Sequence, residues 1–432
     1  MKTKYEWGKL VIKDRRMNKP QKESTSLRSV LETTEVDSLI EAAEIVEYDF
    51  SQNTSIKDLA TIEAPEGLVI PRKPEADQAK ESYKNEERKE FNLWKLNMNS
   101  LLGQKGTITP YERNLNVWRQ LWFTLEESDL VVQIVDSRNP LLFYTEDLEK
   151  VAPTKRHLLL LNKADLLTEK QVQHWQAYFT ERQVEHLFYS SVVASPLFAT
   201  AESLLAEWAS VGMVGMIGYP NVGKSSAINS FFKRKVVGTS IVPGKTKCIQ
   251  TLQLESITLC DCPGLVFPSF VTHKQDLILN GILSLDQTRE IKACLDVIIE
   301  RLGIRTMCYV TGIRTFSNDS RKSLAENYLD AHKRDRGCIE EGKIIKAIVK
   351  EYLEGKIRYV HPPPDTDSVA FNENNHPVPD DFTVNTAVSY GWYAEEREKA
   401  LPKEVKIPLS VLLSKKHYLK KGLERGFKKK PG

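Results

Sequence analysis

From about residue 110 the chain alternates between short apolar runs and stretches with apolar residues at helical spacing. Leu130-Val-Val-Gln-Ile-Val135, His157-Leu-Leu-Leu-Leu161, Glu185-His-Leu-Phe-Tyr189 and Val211-Gly-Met-Val-Gly-Met-Ile217 read as buried strands. Tyr111 to Trp122, a segment after Pro140, Glu169 to Arg182 and Ala201 to Trp208 read as the helices between them. Ser226 to Phe232 reads as the first turns of a further helix. Ile249 to Leu254 and Ile257 to Asp261 read as two paired strands joined by a tight turn. Strands alternating with helices in this way predict a parallel sheet covered on both faces. In such a sheet, ligands bind at the carboxyl ends of the strands.

The pattern changes on either side. After Pro268, the segments Leu277 to Leu285, Glu290 to Leu302, Ser323 to His332 and Cys338 to Leu353 are helical by periodicity. Before residue 108 the chain is polar. Ser26 to Leu31 and Val36 to Ala43 resemble short capped helices, and Pro65 and Pro71 to Pro74 mark a linker. Glu81 to Asn97 is charge-rich and reads as a solvated helix. The expected division is an N-terminal extension (1–107), an α/β domain (108–268), a helical domain (269–364) and a tail (365–432).

Composition narrows the class. The 432 residues are 41% hydrophobic and 28% charged, which is globular, and the net charge of +3 is too small to select a partner. Charge distribution says more. Within Ser414 to Gly432, eight lysines and arginines face one glutamate, with Tyr418 and Phe427 interleaved. This run suits either phosphate-backbone contacts or a solvated tail, and the basic Lys9 to Lys22 stretch leaves the same choice. The six cysteines lack zinc-ligand spacing, which fits a reducing compartment. Cys260 and Cys262 flank Asp261 within a strand and are expected to be buried. No run of 18 apolar residues occurs, so no membrane span is expected. Met1 to Gly8 has no apolar core of a secretion signal.

The chemistry concentrates at strand ends. Gly218-Tyr-Pro-Asn-Val-Gly223-Lys224-Ser225 matches G-x-x-x-x-G-K-[ST] between an apolar strand and a helix start. Glycines there let backbone N–H groups curl around a phosphate, and the helix N-terminus adds partial positive charge. Lys224 would reach β- and γ-phosphate oxygens, and the Ser225 hydroxyl would bind Mg²⁺. Ser226 follows in the same turn. Asp261, in Asp261-Cys-Pro-Gly264, suits water-mediated Mg²⁺ binding, and the Gly264 N–H is placed to meet a γ-phosphate. Asn162-Lys163-Ala-Asp165 supplies a base reader. The Asp165 carboxylate can accept hydrogen bonds from N1 and the 2-amino group of guanine, whereas adenine leaves it unpaired.

In most guanine-nucleotide-binding proteins this N-K-x-D motif follows the phosphate loop; here it precedes it. The order N-K-A-D, Ser190-Ser191, P-loop, Thr246, D-C-P-G resembles the circularly permuted GTPases of the YlqF/YawG family. Asp136-Ser-Arg-Asn-Pro140 is similar to that family's D-A-R-x-P signature, with Ser137 in place of alanine. The resemblance spans about residues 108 to 364. Tyr111 to Trp122, Asn139 to Phe143, Pro243 to Lys247, Gly264 to Ser269, His361-Pro-Pro-Pro364 and Ser26 to Glu32 look like one eukaryotic branch, the cytoplasmic large-subunit GTPases (the Lsg class). Ser191 stands where the family usually has alanine, and the long acidic insert of larger members is absent.

The resemblance implies a P-loop GTPase fold of the α/β class, circularly permuted, with mainly helical flanks. It implies GTP and GDP as ligands and Mg²⁺ held through Ser225, Thr246 and Asp261. Nucleotide contacts would come from Asn162, Lys163, Asp165, Ser190, Ser191, Asn221, Val222, Gly223, Lys224, Ser225, Ser226, Asp261 and Gly264. Lys224, Thr246 and Gly264 would carry the catalytic contacts. Asn221 resembles the asparagine that binds K⁺ in potassium-stimulated GTPases, or it is simply a turn residue. Leu265 stands where many GTPases orient water with glutamine, so slow intrinsic turnover is expected. The implied role is cytoplasmic: late maturation of the large ribosomal subunit, through its RNA and proteins, with release of its nuclear-export adaptor, by a protein monomeric off the ribosome. Alternatives are a GTP-dependent scaffold with negligible hydrolysis, a nucleolar or mitochondrial sibling, and an ATP-using P-loop kinase.

Overall fold

Seven consecutive buried residues, Leu130–Asp136, form β1, the strand around which the sheet is laid. The computed structural model describes residues 70–386 except 75–79, 102–106, 109–110, 239–247, 255–256, 269, 272–273, 284, 286–290, 318 and 338–339. Further strands are β2 (Arg156–Asn162), β3 (His186–Phe188), β4 (Met213–Gly218), β5 (Gln250–Leu254) and β6 (Ile257–Asp261). Their order across the sheet is β3-β2-β1-β4-β6-β5, with only the edge strand β5 antiparallel to its neighbour. Central parallel strands are covered on both faces, so they read as unbroken apolar runs rather than alternating ones. β1 carries Gln133 inside this run, and its side-chain amide donates to the Phe143 carbonyl at 3.1 Å.

The register sets the working edge. Asp136 lies opposite Asn162, Ile134 opposite Gly218, and Met216 opposite Asp261. The chain moves outward from β1 through β2 to β3, then returns to place β4 on the other side of β1. The strand order therefore switches between β1 and β4, and the carboxyl ends of these two strands are where such a sheet binds its ligands.

Helices α1 (Lys80–Leu101), α2 (Leu115–Glu127), α3 (Glu169–Glu181), α4 (Ala201–Trp208) and α5 (Lys224–Phe231) belong to this half of the chain. Thr168 and Thr200 start α3 and α4 with capping boxes closed by Gln171 and Ser203. These strands and helices enclose one core that includes Trp118, Trp175, Trp208, Val135, Ile217 and Phe267. As the sequence suggested, Cys260 and Cys262 are fully buried in this region.

A second core lies among α6 (Lys274–Leu279), α7 (Ile291–Leu302), α8 (Ile304–Thr311), α9 (Leu324–Arg336) and α10 (Glu341–Leu353). The segment read as a helix to Leu285 stops at Leu279, because Asn280 and Gly281 turn the chain and Gly281 takes φ +72°. α8 was not legible, since its Ile, Thr and Val content lacks helical preference; Gly303 precedes it and the left-handed Gly312 ends it.

Two expected boundaries differ from the packing. α1 is no solvated helix. Phe91 and Met98 are buried, Trp94 packs edge-on against Tyr111 and Trp118 at 5.2 and 5.3 Å, and Glu87 pairs with Arg119 of α2. Ile70 and Phe91 thus join the core of the α/β half, although the sequence assigned them to a separate extension. Residues 365–385, expected in the tail, also pack. Gln171 of α3 donates to the Phe371 carbonyl at 2.8 Å and to Asn375 at 3.0 Å, and Asn372 bonds the Val360 backbone in both directions. The terminal basic run, Lys9 to Lys22 and the two short leader helices lie outside the described residues.

Candidate functional site at the β1–β4 switch

The phosphate loop leaves β4 at Gly218, where an added Cβ would sit 2.5 Å from the Ile134 carbonyl oxygen. Two residues of the loop take left-handed backbone, Asn221 at φ +63° and Gly223 at φ +94°. Gly223 is forced twice: by that φ, and because a Cβ there would overlap the Asn162 side-chain amide. Lys224 and Ser225 then open α5, with Ser226 exposed behind them.

The segment from Asn162 to Asp165, the expected base reader, is tied to this loop by hydrogen bonds. Asn162 donates to the Val222 carbonyl at 2.9 Å. Lys163 donates to the Asn221 carbonyl at 2.8 Å and to the Asp136 carboxylate at 2.7 Å. The Ser191 hydroxyl donates to the Asn162 side-chain oxygen at 3.1 Å. The Ser190 hydroxyl donates to Asp165 at 2.5 Å and accepts from the Val192 and Val193 amides, which fixes the carboxylate's direction. Asn162, Lys163, Asp165, Ser190, Ser191, Asn221 and Val222 therefore form one bonded unit, although up to 60 positions separate them in sequence, and Gly223 packs against its Asn162.

On the other side of the loop, Lys224 ion-pairs with Asp261 at the tip of β6, both buried. The second carboxylate oxygen of Asp261 is buried with no hydrogen-bond partner. A buried carboxylate oxygen without a donor costs free energy, so this atom marks a place for a water or a cation's hydration shell. Gly264 passes so close to Pro220 that a Cβ would lie 3.2 Å from its Cα. The Leu265 amide donates to the Gly218 carbonyl at 3.2 Å, and its side chain belongs to the apolar core of the α/β half. Among the described residues no group of three or more His, Cys, Asp or Glu could hold a metal ion. The residues fit Mg²⁺ instead, which takes few protein oxygens and completes its shell with water and phosphate. Ser225 and Asp261 are available; Thr246, the third expected ligand, lies outside the described residues.

The electrostatics follow from burial. Burial pushes the Asp136 carboxyl up, but Arg138 and Lys163 outweigh it and hold the group well below the usual carboxylate range. Burial draws the Lys163 ammonium down, and Asp136 works against that. Cys260 and Cys262 are pushed up to about 11 and about 12 by burial, so neither thiol is nucleophilic at neutral pH.

Four contributors escaped the sequence-based site list: Asp136, Arg138, Gly281 and Tyr352. The first two sit in a visible signature, Asp136-Ser-Arg-Asn-Pro140. Gly281 and Tyr352 act through backbone carbonyls, Gly281 accepting from Asn221 at 2.8 Å and Tyr352 from Arg138 at 3.0 Å, and no sequence pattern announces a carbonyl contact.

A phosphate loop at the switch point, with an N-K-x-D strand end placed before it in the chain, defines a P-loop GTPase domain of circularly permuted order. A family model described as "50S ribosome-binding GTPase" matches residues 213–316. The Large subunit GTPase 1 of Schizosaccharomyces pombe is 34% identical over 83% of this chain and 72% of its own length. The chain belongs to the Large subunit GTPase 1 family. GTPase LSG1-2 of Arabidopsis thaliana is 31% identical, over 78% of this chain and 74% of that protein. The Large subunit GTPase 1 of Saccharomyces cerevisiae is 35% identical over 69% of this chain, which spans 58% of that protein. Among solved structures, GDP-bound TM YlqF is 21% identical with a TM-score of 0.42, over 58% of this chain and 100% of that one.

Proposed function

We propose that the chain binds GTP at the carboxyl ends of β1 and β4, hydrolyses it, and uses the cycle to act late in large ribosomal subunit maturation. The observation that supports this best is the bond from Asn162 to the Val222 carbonyl, which joins the base-reading segment to the phosphate loop. Asp165, aimed by Ser190, would accept from guanine N1 and the 2-amino group. Lys224 would exchange Asp261 for phosphate oxygens, and the Gly264 amide would meet the γ-phosphate. Ser225, Thr246 and Asp261 would hold Mg²⁺, which when bound neutralises charge developing on the phosphoryl oxygens. Leu265 has no polar group with which to orient water, so turnover of the free protein should be slow. K⁺ beside Asn221 would supply some of the missing positive charge.

The chain from Asp261 to Gly264 runs directly toward α6. Loss of the γ-phosphate would release that loop, and the helical region would change its grip on ribosomal RNA and protein. Release of the nuclear-export adaptor, a cytoplasmic site of action and a monomeric free form are further parts of the proposal. No helix among the described residues is long and apolar enough to cross a membrane.

Competition of GTP, GDP and ATP for the protein tests the base reading; equal displacement by ATP would refute it. Turnover with and without large subunits, in K⁺ and in Na⁺, separates a hydrolase from a scaffold. A scaffold would show negligible turnover under all four conditions. A tagged protein found in the nucleolus or mitochondria would favour the sibling role instead.

A further inference from the structure

Asp136 and Arg138 would not themselves touch a nucleotide, yet they occupy the centre of the site's wiring. Both are nearly fully buried, at 3% and 7% exposure. Arg138 grips Asp136 as a two-pronged fork, Nε to Oδ1 at 3.0 Å and Nη2 to Oδ2 at 2.7 Å, and its backbone N–H adds a third bond to Oδ1 at 3.0 Å. The remaining prong, Nη1, donates to the Tyr352 carbonyl at the end of α10. From the other direction, the His361 amide donates to the Arg138 carbonyl at 2.7 Å. Asp136 Oδ2 also receives Lys163, whose ammonium reaches on to the phosphate loop at Asn221.

Charge counting explains why an arginine is needed. With Lys163 alone, Asp136 would consume the lysine's charge in a closed pair. With Arg138 present, the arginine neutralises the carboxylate, and the cluster of one anion and two cations keeps a net positive charge at Lys163. A fixed fork also orients the carboxylate, which a single ammonium does not do.

We infer that Asp136 and Arg138 are positioning residues for the nucleotide site. They hold Lys163 across the phosphate loop, and they make that hold depend on the docking of the helical region through Tyr352 and His361. The inference rests on the guanine-nucleotide reading above. By linkage, a nucleotide that favours the held form of Lys163 must also favour the docked form of the 352–361 segment.

Binding of a fluorescent GDP analogue to the full chain tests this, with unfolding temperature measured alongside. Arg138→Lys keeps the charge but loses the fork, and Asp136→Asn removes the carboxylate. Each is expected to weaken GDP by roughly 10- to 100-fold, mostly through faster dissociation, the scale on which groups that orient a ligand-contacting side chain act. Because the two act as a unit, the double variant should be within about threefold of the worse single one. Folded variants that bind within twofold of wild type would overturn the inference. A second measurement needs no variant: in the wild-type chain, GDP should slow hydrogen exchange of the His361 amide, and an unchanged rate would also overturn it. If the wild-type chain fails to bind GDP at all, the nucleotide reading falls first, before any variant is compared.

Discussion

At the scale of single residues, the site is a set of side chains whose partners are already chosen. Asp165 is the sharpest case. Its carboxylate offers only acceptors, which suits the two donors of guanine. Asp165→Asn replaces one acceptor by a donor, and each charge-assisted bond is worth about 1.5–3 kcal/mol. The variant should lose GTP affinity by about 100-fold or more and gain affinity for xanthosine triphosphate, whose C2 position carries an acceptor. Equilibrium binding of both nucleotides checks this; parallel loss of both would indicate damage rather than altered reading.

Lys224 makes a different point. It is paired with Asp261 inside the protein, with side-chain exposures of 6% and 0%. Removing one member of a buried pair leaves the other uncompensated, at a cost of about 3–5 kcal/mol. Lys224→Met should therefore destabilise the fold as well as abolish nucleotide binding. Lys224→Met combined with Asp261→Asn should recover most of the stability without recovering binding. Chemical denaturation of the single and double variants, beside nucleotide titration, separates the two losses.

At the scale of elements, legibility followed the physics of burial. β1, β2 and β4 were plain because a strand covered on both faces must be apolar throughout, and α3 and α4 because their apolar residues recur at helical spacing. α1 was misjudged for a reason that generalises. Its mean composition is polar and charged, and only a narrow stripe through Phe91, Trp94 and Met98 meets the core. A stripe that narrow does not stand out against lysines and glutamates. The phosphate loop, Asn162 and Asp165 were legible because their spacing is dictated by ligand geometry. The carbonyl partners at Gly281 and Tyr352 were not, since any residue type supplies a carbonyl. The packing of α1 gives an expected outcome. Phe91→Ala should cost about 3 kcal/mol, near the lower end for aromatic truncation in a core. Glu90→Ala, on the exposed face of the same helix, should stay within about 0.5 kcal/mol. Unfolding midpoints of the two variants decide it; equal, small effects would return α1 to the solvent.

At the scale of the described molecule, the α/β half and the helical half meet through buried polar groups rather than apolar surface alone. Arg138 reaches Tyr352, the Tyr352 hydroxyl accepts from Arg301, and Arg301 pairs with Asp276 of α6. His361 stands among these groups with its ring against Tyr359 at 5.1 Å and its Nε2 buried without a hydrogen-bond partner. Burial first, and then the nearby Arg301, pushes its pKa down to about 3, although Asp276 and Asp136 oppose the shift. A base whose folded pKa lies below its unfolded value is stabilising while neutral in both states. Its contribution is complete above about pH 6.5 and is lost as pH falls toward 3, because the unfolded chain takes up the proton first. By pH 4.5 the loss should amount to about 2–3 kcal/mol from this one residue. His361→Asn removes the titrating group, so the stability difference between pH 7 and pH 4.5 should shrink by that amount relative to wild type. His332 and His376, also drawn down by burial, act in the same direction in both proteins and cancel from the comparison. Asp136 acts in a lower window, since its depressed pKa stabilises the fold above the ordinary carboxylate range and is felt only as pH drops below about 4. Denaturant unfolding at pH 7, 5.5 and 4.5 measures the difference. Parallel pH profiles for wild type and variant would show that His361 is protonated freely in the fold, and that the junction it occupies is open to water.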